Sequence, residues 1–236
     1  MLDKEKHQLL LGRILKDIYT DISIAALLGL KGGTCARLFY DLPRFSVDLD
    51  FDLFEQDGIE PTAIREAVHT ILENYGRVKE SRLKRYTIFL LLTYGAKDRN
   101  IKVEINLRSL IPNLERHYEP KKHLGISMWV GKQPYLFASK LAALTDRSQI
   151  AMRDVYDIWF YANRQWDIDP EVIRIRTGKS VADYLADCID LIEGIKDSQI
   201  LQGMGELLGQ KEKDWARNNL RREVIFLLRN YRAALM

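Results

Sequence analysis

Cysteine is nearly absent. Cys35 and Cys188 are the only two in 236 residues, too few for a disulfide framework and too far apart for a metal-ligand motif. Histidine is almost as sparse: His7, His69, His117 and His123 are dispersed, which argues against a zinc site and leaves no Cys/His or Ser/His/Asp nucleophile arrangement. No apolar run is longer than residues 88–92, far short of the roughly 20 residues a membrane-spanning helix needs. The opening Met-Leu-Asp-Lys-Glu-Lys has neither the apolar core nor the cleavage site of a signal peptide. A cytoplasmic protein without a membrane partner is expected. Excess charge is slight too, and a net +3 does not by itself identify a polyanionic partner.

What is present is an ordinary globular composition, 47% hydrophobic and 29% charged, on a chain long enough for one large domain or two lobes. Over residues 2–20, Leu9, Leu10, Ile14 and Ile18 have helical spacing. Residues 24–30 are a short apolar run ending at Gly32-Gly33 and predict a buried strand, followed by a brief helix over 34–40 that stops before Pro43. Residues 46–54 alternate, with Val47, Leu49, Phe51 and Leu53 toward a core and Ser46, Asp48, Asp50 and Asp52 on the other face. Pro61 sits near the start of a helix reaching about residue 75.

Strands are predicted over 86–94 and 101–107, joined by a hairpin loop over 95–100. In the second of them Ile101, Val103, Ile105 and Leu107 point inward while Lys102, Glu104 and Asn106 point outward. Residues 112–134, rich in proline, glycine and charge, predict a lobe boundary, with one lobe at 1–115 and a mainly helical one at 116–236. Helices are expected over 135–145, 152–163, 181–193 and 214–234. The fold class is therefore mixed α+β: an N-terminal lobe with a small mixed sheet, then a helical C-terminal lobe.

The most informative segment joins Gly32-Gly33-Thr34 to Asp48-Leu-Asp50, which begins fifteen residues after Gly33. On one strand, Asp48 and Asp50 project the same way with Cα atoms roughly 7 Å apart, a spacing at which two carboxylates can share divalent ions. A Gly-Gly turn opening a helix can bring backbone N–H groups against phosphate. Each piece alone is common; together, on matching elements, they point to nucleotide chemistry.

Three further groups could complete such a site. Glu104, on a neighbouring strand, could be a third metal-binding carboxylate that also deprotonates an attacking hydroxyl; the plain alternative is a surface glutamate paired with Lys102 or Arg108. Lys140, among Leu136, Phe137, Leu141 and Leu144, could hold the outer phosphates of a triphosphate or could be a snorkelling lysine. Asp157, in Arg153-Asp-Val-Tyr-Asp157, could face the same site or serve a structural ion pair. One continuous helix would hold Lys140 and Asp157 roughly 25 Å apart, so they meet only if the chain bends near residues 146–151, where Asp146 and Ser148 are candidate caps.

The chain resembles the AbiEii/AbiGii-type nucleotidyltransferase toxins of the wider DNA polymerase β-like superfamily. The likeness is carried by Lys31-Gly-Gly-Thr34 with Arg37 and Tyr40, by Arg44-Phe-Ser-Val-Asp-Leu-Asp-Phe51 and by Lys102-Val-Glu-Ile-Asn106. It continues through Ala138-Ser-Lys-Leu-Ala-Ala-Leu144, Arg147 and Arg153-Asp-Val-Tyr-Asp157. The resemblance implies Mg²⁺, two ions, held by Asp48, Asp50 and Glu104, and an NTP bound through Gly32, Gly33, Thr34, Arg44, Ser46 and Lys140. It implies Asp48, Asp50, Glu104, Lys140 and Asp157 as the catalytic set. It also implies a toxin whose cognate antitoxin carries a helix-turn-helix, with the 3′ end of tRNA as one possible acceptor.

Basic stretches fit an RNA acceptor. Residues 77–85 carry five cations against Glu80, and residues 211–232 carry seven against three acids. The competing reading of both is solvated surface charge. A protein or small-molecule acceptor, or a non-catalytic nucleic-acid-binding relative, are the alternatives.

Overall fold

Leu11, Ile14, Leu15 and Ile18 recur at helical spacing along α1 (Lys4–Thr20), and all four are buried. The computed structural model describes residues 4–54, 58, 60–95, 99–108, 110–146 and 149–235. The chain forms two units, one of residues up to Asp41 with Phe45–Gly131, the other of Leu42–Arg44 with the chain from Lys132 onward.

In the first unit, β1 (Leu28–Lys31) runs into α2 (Gly32–Tyr40), followed by β2 (Leu49–Leu53) and α3 (Pro61–Glu73). Then come β3 (Arg77–Lys84), β4 (Thr87–Tyr94), β5 (Arg99–Asn106), β6 (Tyr118–His123) and β7 (Ile126–Gly131). Among the described residues these seven strands form one mixed sheet in the order β3-β4-β5-β2-β1-β7-β6. The pairs β1–β7 and β2–β5 are parallel and the others antiparallel.

Period-2 alternation makes this sheet two-faced. Leu49, Phe51, Ile88, Leu90, Leu92, Ile101, Val103 and Ile105 are fully buried on the face where α1 and α3 pack, each contributing about 1.5–3 kcal/mol. The opposite face carries Lys31, Asp50, Asp52, Lys102 and Glu104.

Several expectations change. Strand β1 is shorter than 24–30, and β2 starts at Leu49, so Ser46–Asp48 precede the regular strand. Residues 77–85, read only as a charged stretch, are mostly β3, the edge strand beside β4. Segment 112–134 contains the β6–β7 hairpin, so the sheet runs on to Gly131 and the first unit ends there, near the far end of the expected boundary segment. Residues 96–98 of the expected hairpin loop lie outside the described residues, as do Arg147 and Ser148.

The second unit is helical: α4 (Gln133–Ala143), α5 (Met152–Asn163), α6 (Pro170–Thr177), α7 (Val181–Glu193) and α8 (Gln210–Ala234). Helix α6 was not expected from the sequence, although Asp169 caps it, accepting from the Glu171 and Val172 amides, with Pro170 at its first position. Among the described residues no helix is long and apolar enough to cross a membrane.

Candidate active site

Strand β1 delivers the chain to Gly32, whose φ of +75° is a left-handed conformation that favours glycine. A Cβ there would lie 2.5 Å from Oδ2 of Asp50. Glycine is thus required twice at this position, for its torsion and for the close approach of backbone to carboxylate. Gly33 and Thr34 follow in the first turn of α2 and are buried. The Thr34 hydroxyl, expected near phosphate, donates to the carbonyl of Asp48 and fastens the helix start to the entry of β2.

Register then sets the acidic groups. Asp50 is the direct partner of Lys31 on β1 and of Glu104 on β5, so the Asp50 and Glu104 side chains stand on one face of neighbouring parallel strands. Asp48 precedes them and is joined to the same cluster by Lys102, whose Nζ lies 3.5 Å from Asp48 Oδ2 and 2.8 Å from Glu104 Oε2. Burial alone would lower the pKa of Lys102, but Asp48, Glu104 and Asp50 outweigh it and hold the ammonium above its ordinary value.

Asp52, the last acid on the strand face, has a different role. It is buried, pairs with Lys31 at 2.5 Å, and accepts from Asn106 at 2.7 Å and from Tyr118 at 2.6 Å. Those partners make it the structural hub that ties β1, β5 and β6 to β2.

Among the described residues no three acidic, cysteine or histidine side chains already form a metal cage. The donor chemistry nonetheless fits a hard divalent cation: three carboxylates come from β2, its entry and β5, and an ammonium already bridges two of them.

In the second unit, Lys140 of α4 and Asp157 of α5 do meet. Lys140 Nζ lies 3.0 Å from Asp157 Oδ2 and 2.6 Å from Asp154 Oδ1. Arg44, on the short segment that belongs to this unit, grips Asp157 bidentately at 2.5 and 2.6 Å. Arg44, Asp154 and Asp157 are almost wholly buried, and Lys140 is 16% exposed. Burial lowers the pKa of Lys140, yet Asp157 and Asp154 together raise it above its usual value despite Arg44. For Arg44 the same opposition ends in a raised pKa, with Asp157 the dominant partner.

Arg44, expected at the nucleotide, is thus engaged with Asp157, and Ser46 is buried. Asp157 takes its partners from Arg44 and Lys140 rather than from a local pair within α5. Lys102, expected only as a partner of Glu104, also bridges to Asp48, and its place two residues before Glu104 on the same strand face is the signal in the sequence for it.

A glycine turn is thus seated beside Asp48 and Asp50, with a glutamate in register on the adjoining parallel strand, in a chain of the nucleotidyltransferase class. The sequence model of the family described as nucleotidyl transferase AbiEii toxin, type IV toxin–antitoxin system, matches residues 13–225, and the chain belongs to that family. Among solved structures it is similar to JHP933 from Helicobacter pylori, with 18% identity, coverage of 100% of this chain and 97% of that one, and a TM-score of 0.57. It is also similar to a candidate nucleotidyltransferase from H. pylori, with 18% identity, 98% of each chain covered and a TM-score of 0.56. At that identity the likeness is one of fold. No curated protein matches.

Proposed function

We propose that the chain transfers a nucleoside monophosphate from an NTP to an acceptor hydroxyl at the 3′ end of tRNA, with Mg²⁺ held by Asp48, Asp50 and Glu104. The observation that carries this reading is the register of Asp50 with Glu104 beside the Gly32 turn. Bound Mg²⁺ supplies charge neutralisation for the triphosphate and for the developing charge in transfer.

The chain's own residues do the rest. The first amides of α2, at Gly32, Gly33 and Thr34, donate to phosphate oxygens at the positive end of the helix. Glu104 accepts the proton of the acceptor hydroxyl. The hydroxyl oxygen bonds to the α-phosphorus, the bond from that phosphorus to the oxygen bridging toward the β-phosphorus breaks, and pyrophosphate leaves with the electron pair. Within the second unit, Arg44 and Asp154 fix Asp157 and Lys140 in place. An antitoxin with a helix-turn-helix, encoded beside this chain, relieves the resulting growth arrest.

The test is transfer of label from each of four α-labelled NTPs to total RNA. Asp48→Ala and Asp50→Ala should each lower transfer on the order of 10³-fold, since several kcal/mol of transition-state stabilisation depend on those ligands. Label transfer that persists in both variants would overturn the carboxylate assignment. Label that goes to protein or to a small molecule, and not to RNA, would overturn the acceptor alone.

A further inference from the structure

Two stretches of the chain carry excess cations, and the structure treats them differently. On α8, four of the five arginines are matched by carboxylates: Arg217 with Asp214 at 3.6 Å, Arg221 with Asp197 at 2.8 Å, Arg222 with Glu223 at 3.3 Å and Arg229 with Glu193 at 2.7 Å. On β3, Arg82 is likewise paired, with Glu80 at 3.4 Å, but at the turn between β3 and β4 the cations lie against aromatic rings. Lys84 Nζ stands 4.3 Å from the ring centre of Phe89, and the guanidinium carbons of Arg85 and Arg108 stand 4.9 and 4.6 Å from that of Tyr86. Among the described residues neither arginine makes an ion pair, and Tyr86 between them is 40% exposed.

Strand register ties this tip to the carboxylates. Asp50 is opposite Glu104, Glu104 is opposite Phe89, and Phe89 is opposite Arg82. Register partners share a face, so one row crosses four strands from acid to aromatic to base. With strands about 4.8 Å apart, Phe89 is one step and Arg82 about 10 Å from Glu104. Lys84, two residues beyond Arg82, shares that face, and Arg108 lies four residues past Glu104 in the direction of β5.

We infer that Arg82, Lys84, Arg85, Tyr86, Phe89 and Arg108 form the platform on which the single-stranded 3′ end of the acceptor RNA docks, and that α8 does not serve this purpose. This rests on the RNA-acceptor reading above. Single-stranded RNA is held by cations that meet its phosphates and by flat surfaces that stack its bases, and a sheet face carrying both is suited to it. Guanidinium groups that rest 4.9 and 4.6 Å from the Tyr86 ring centre have less side-chain freedom to lose when a phosphate meets them. An acidic protein partner would have use for the charges but none for the interleaved rings.

The experiment compares full-length wild type, Arg85→Gln/Arg108→Gln and Arg217→Gln/Arg222→Gln for binding to deacylated bulk tRNA across a salt series. Transfer of label to that tRNA and NTP affinity are measured alongside. The hairpin variant should bind tRNA about ten-fold more weakly at 0.1 M salt, with a log–log salt slope shallower by about 1.4, the loss of two single-strand phosphate contacts. Its NTP affinity and thermal midpoint should match wild type, and the α8 variant should bind tRNA as wild type does. The platform is overturned if wild type labels tRNA while the hairpin variant keeps full affinity and slope, or if the α8 variant loses as much. Wild type that neither binds nor labels tRNA overturns the RNA acceptor itself, and the platform with it.

Discussion

The ammonium of Lys102 lies 2.8 Å from the carboxylate of Glu104 and 3.5 Å from that of Asp48, so a side chain of the protein already balances the charge of its own acidic cluster. Asp50 and Glu104, brought together by strand register, and Asp48 just before β2 repel one another unless a cation stands among them.

Removing that cation should therefore open the cluster to metal. In Lys102→Met, Mg²⁺ without nucleotide should bind about three- to ten-fold more tightly by calorimetry, a modest gain because the site is partly solvated and screened. The metal-free variant should melt earlier than wild type and recover more on adding Mg²⁺. Equal Mg²⁺ affinities in the two proteins would show that Lys102 does not compete for these oxygens.

Gly32→Ala should damage transfer more than stability. The left-handed torsion costs about 1–2 kcal/mol for an alanine, and its Cβ, 2.5 Å from Oδ2 of Asp50, must push that carboxylate away. Urea unfolding together with single-turnover label transfer separates the effects. A variant that keeps wild-type turnover would mean the tight approach has no catalytic purpose.

Asp52→Ala should do the reverse. It strips Lys31, Asn106 and Tyr118 of their common acceptor, and losing one side of a buried ion pair costs about 3–5 kcal/mol, here nearer the lower figure because Lys31 keeps partial contact with water. Urea midpoints should fall accordingly, while the remaining folded fraction still transfers label. Unchanged stability would remove Asp52 from its place as the hub of the sheet.

The protein should be labile in alkali. Burial pushes the Tyr156 phenol up to about 12 and the Cys188 thiol up to about 12. The native state holds these protons more tightly than the unfolded chain, so the stability they contribute is complete below their unfolded pKa values, near 8.5 for cysteine and 10 for tyrosine. It is lost as pH climbs toward 12. The thermal midpoint should hold steady from about pH 7 to 8 and drop between about 9 and 12, as the unfolding free energy falls by up to about 1.36 kcal/mol per group per pH unit. A midpoint level through pH 12 would contradict the burial of both groups.

What the sequence disclosed follows from periodicity. Alternation at Leu49 and Phe51, and again at Ile101, Val103 and Ile105, marked β2 and β5 because each buries one face completely. Strand β3 escaped notice because it lies at the sheet edge and none of its residues is fully buried, which leaves a run such as Arg-Val-Lys-Glu with no apolar rhythm. Hairpin β6–β7 was masked by Pro120, which an edge strand tolerates, and by a turn whose Leu124 and Gly125 take φ of 50° and 79°. At the site, the meeting of Lys140 with Asp157 was foreseeable as a bend between helices. The grip of Arg44 on Asp157 was not, since 113 residues separate the two and no local pattern encodes so distant a pair.

That distant pair bears on how the gene could be cut. Residues Leu42–Arg44 are grouped with the helical half although they lie between α2 and β2 in the chain. A fragment starting at Lys132 would inherit Asp157 and Lys140 but forfeit the guanidinium that completes their quartet. The halves are therefore not interchangeable modules, and recombination between relatives would have to exchange the loop after α2 together with the C-terminal helices.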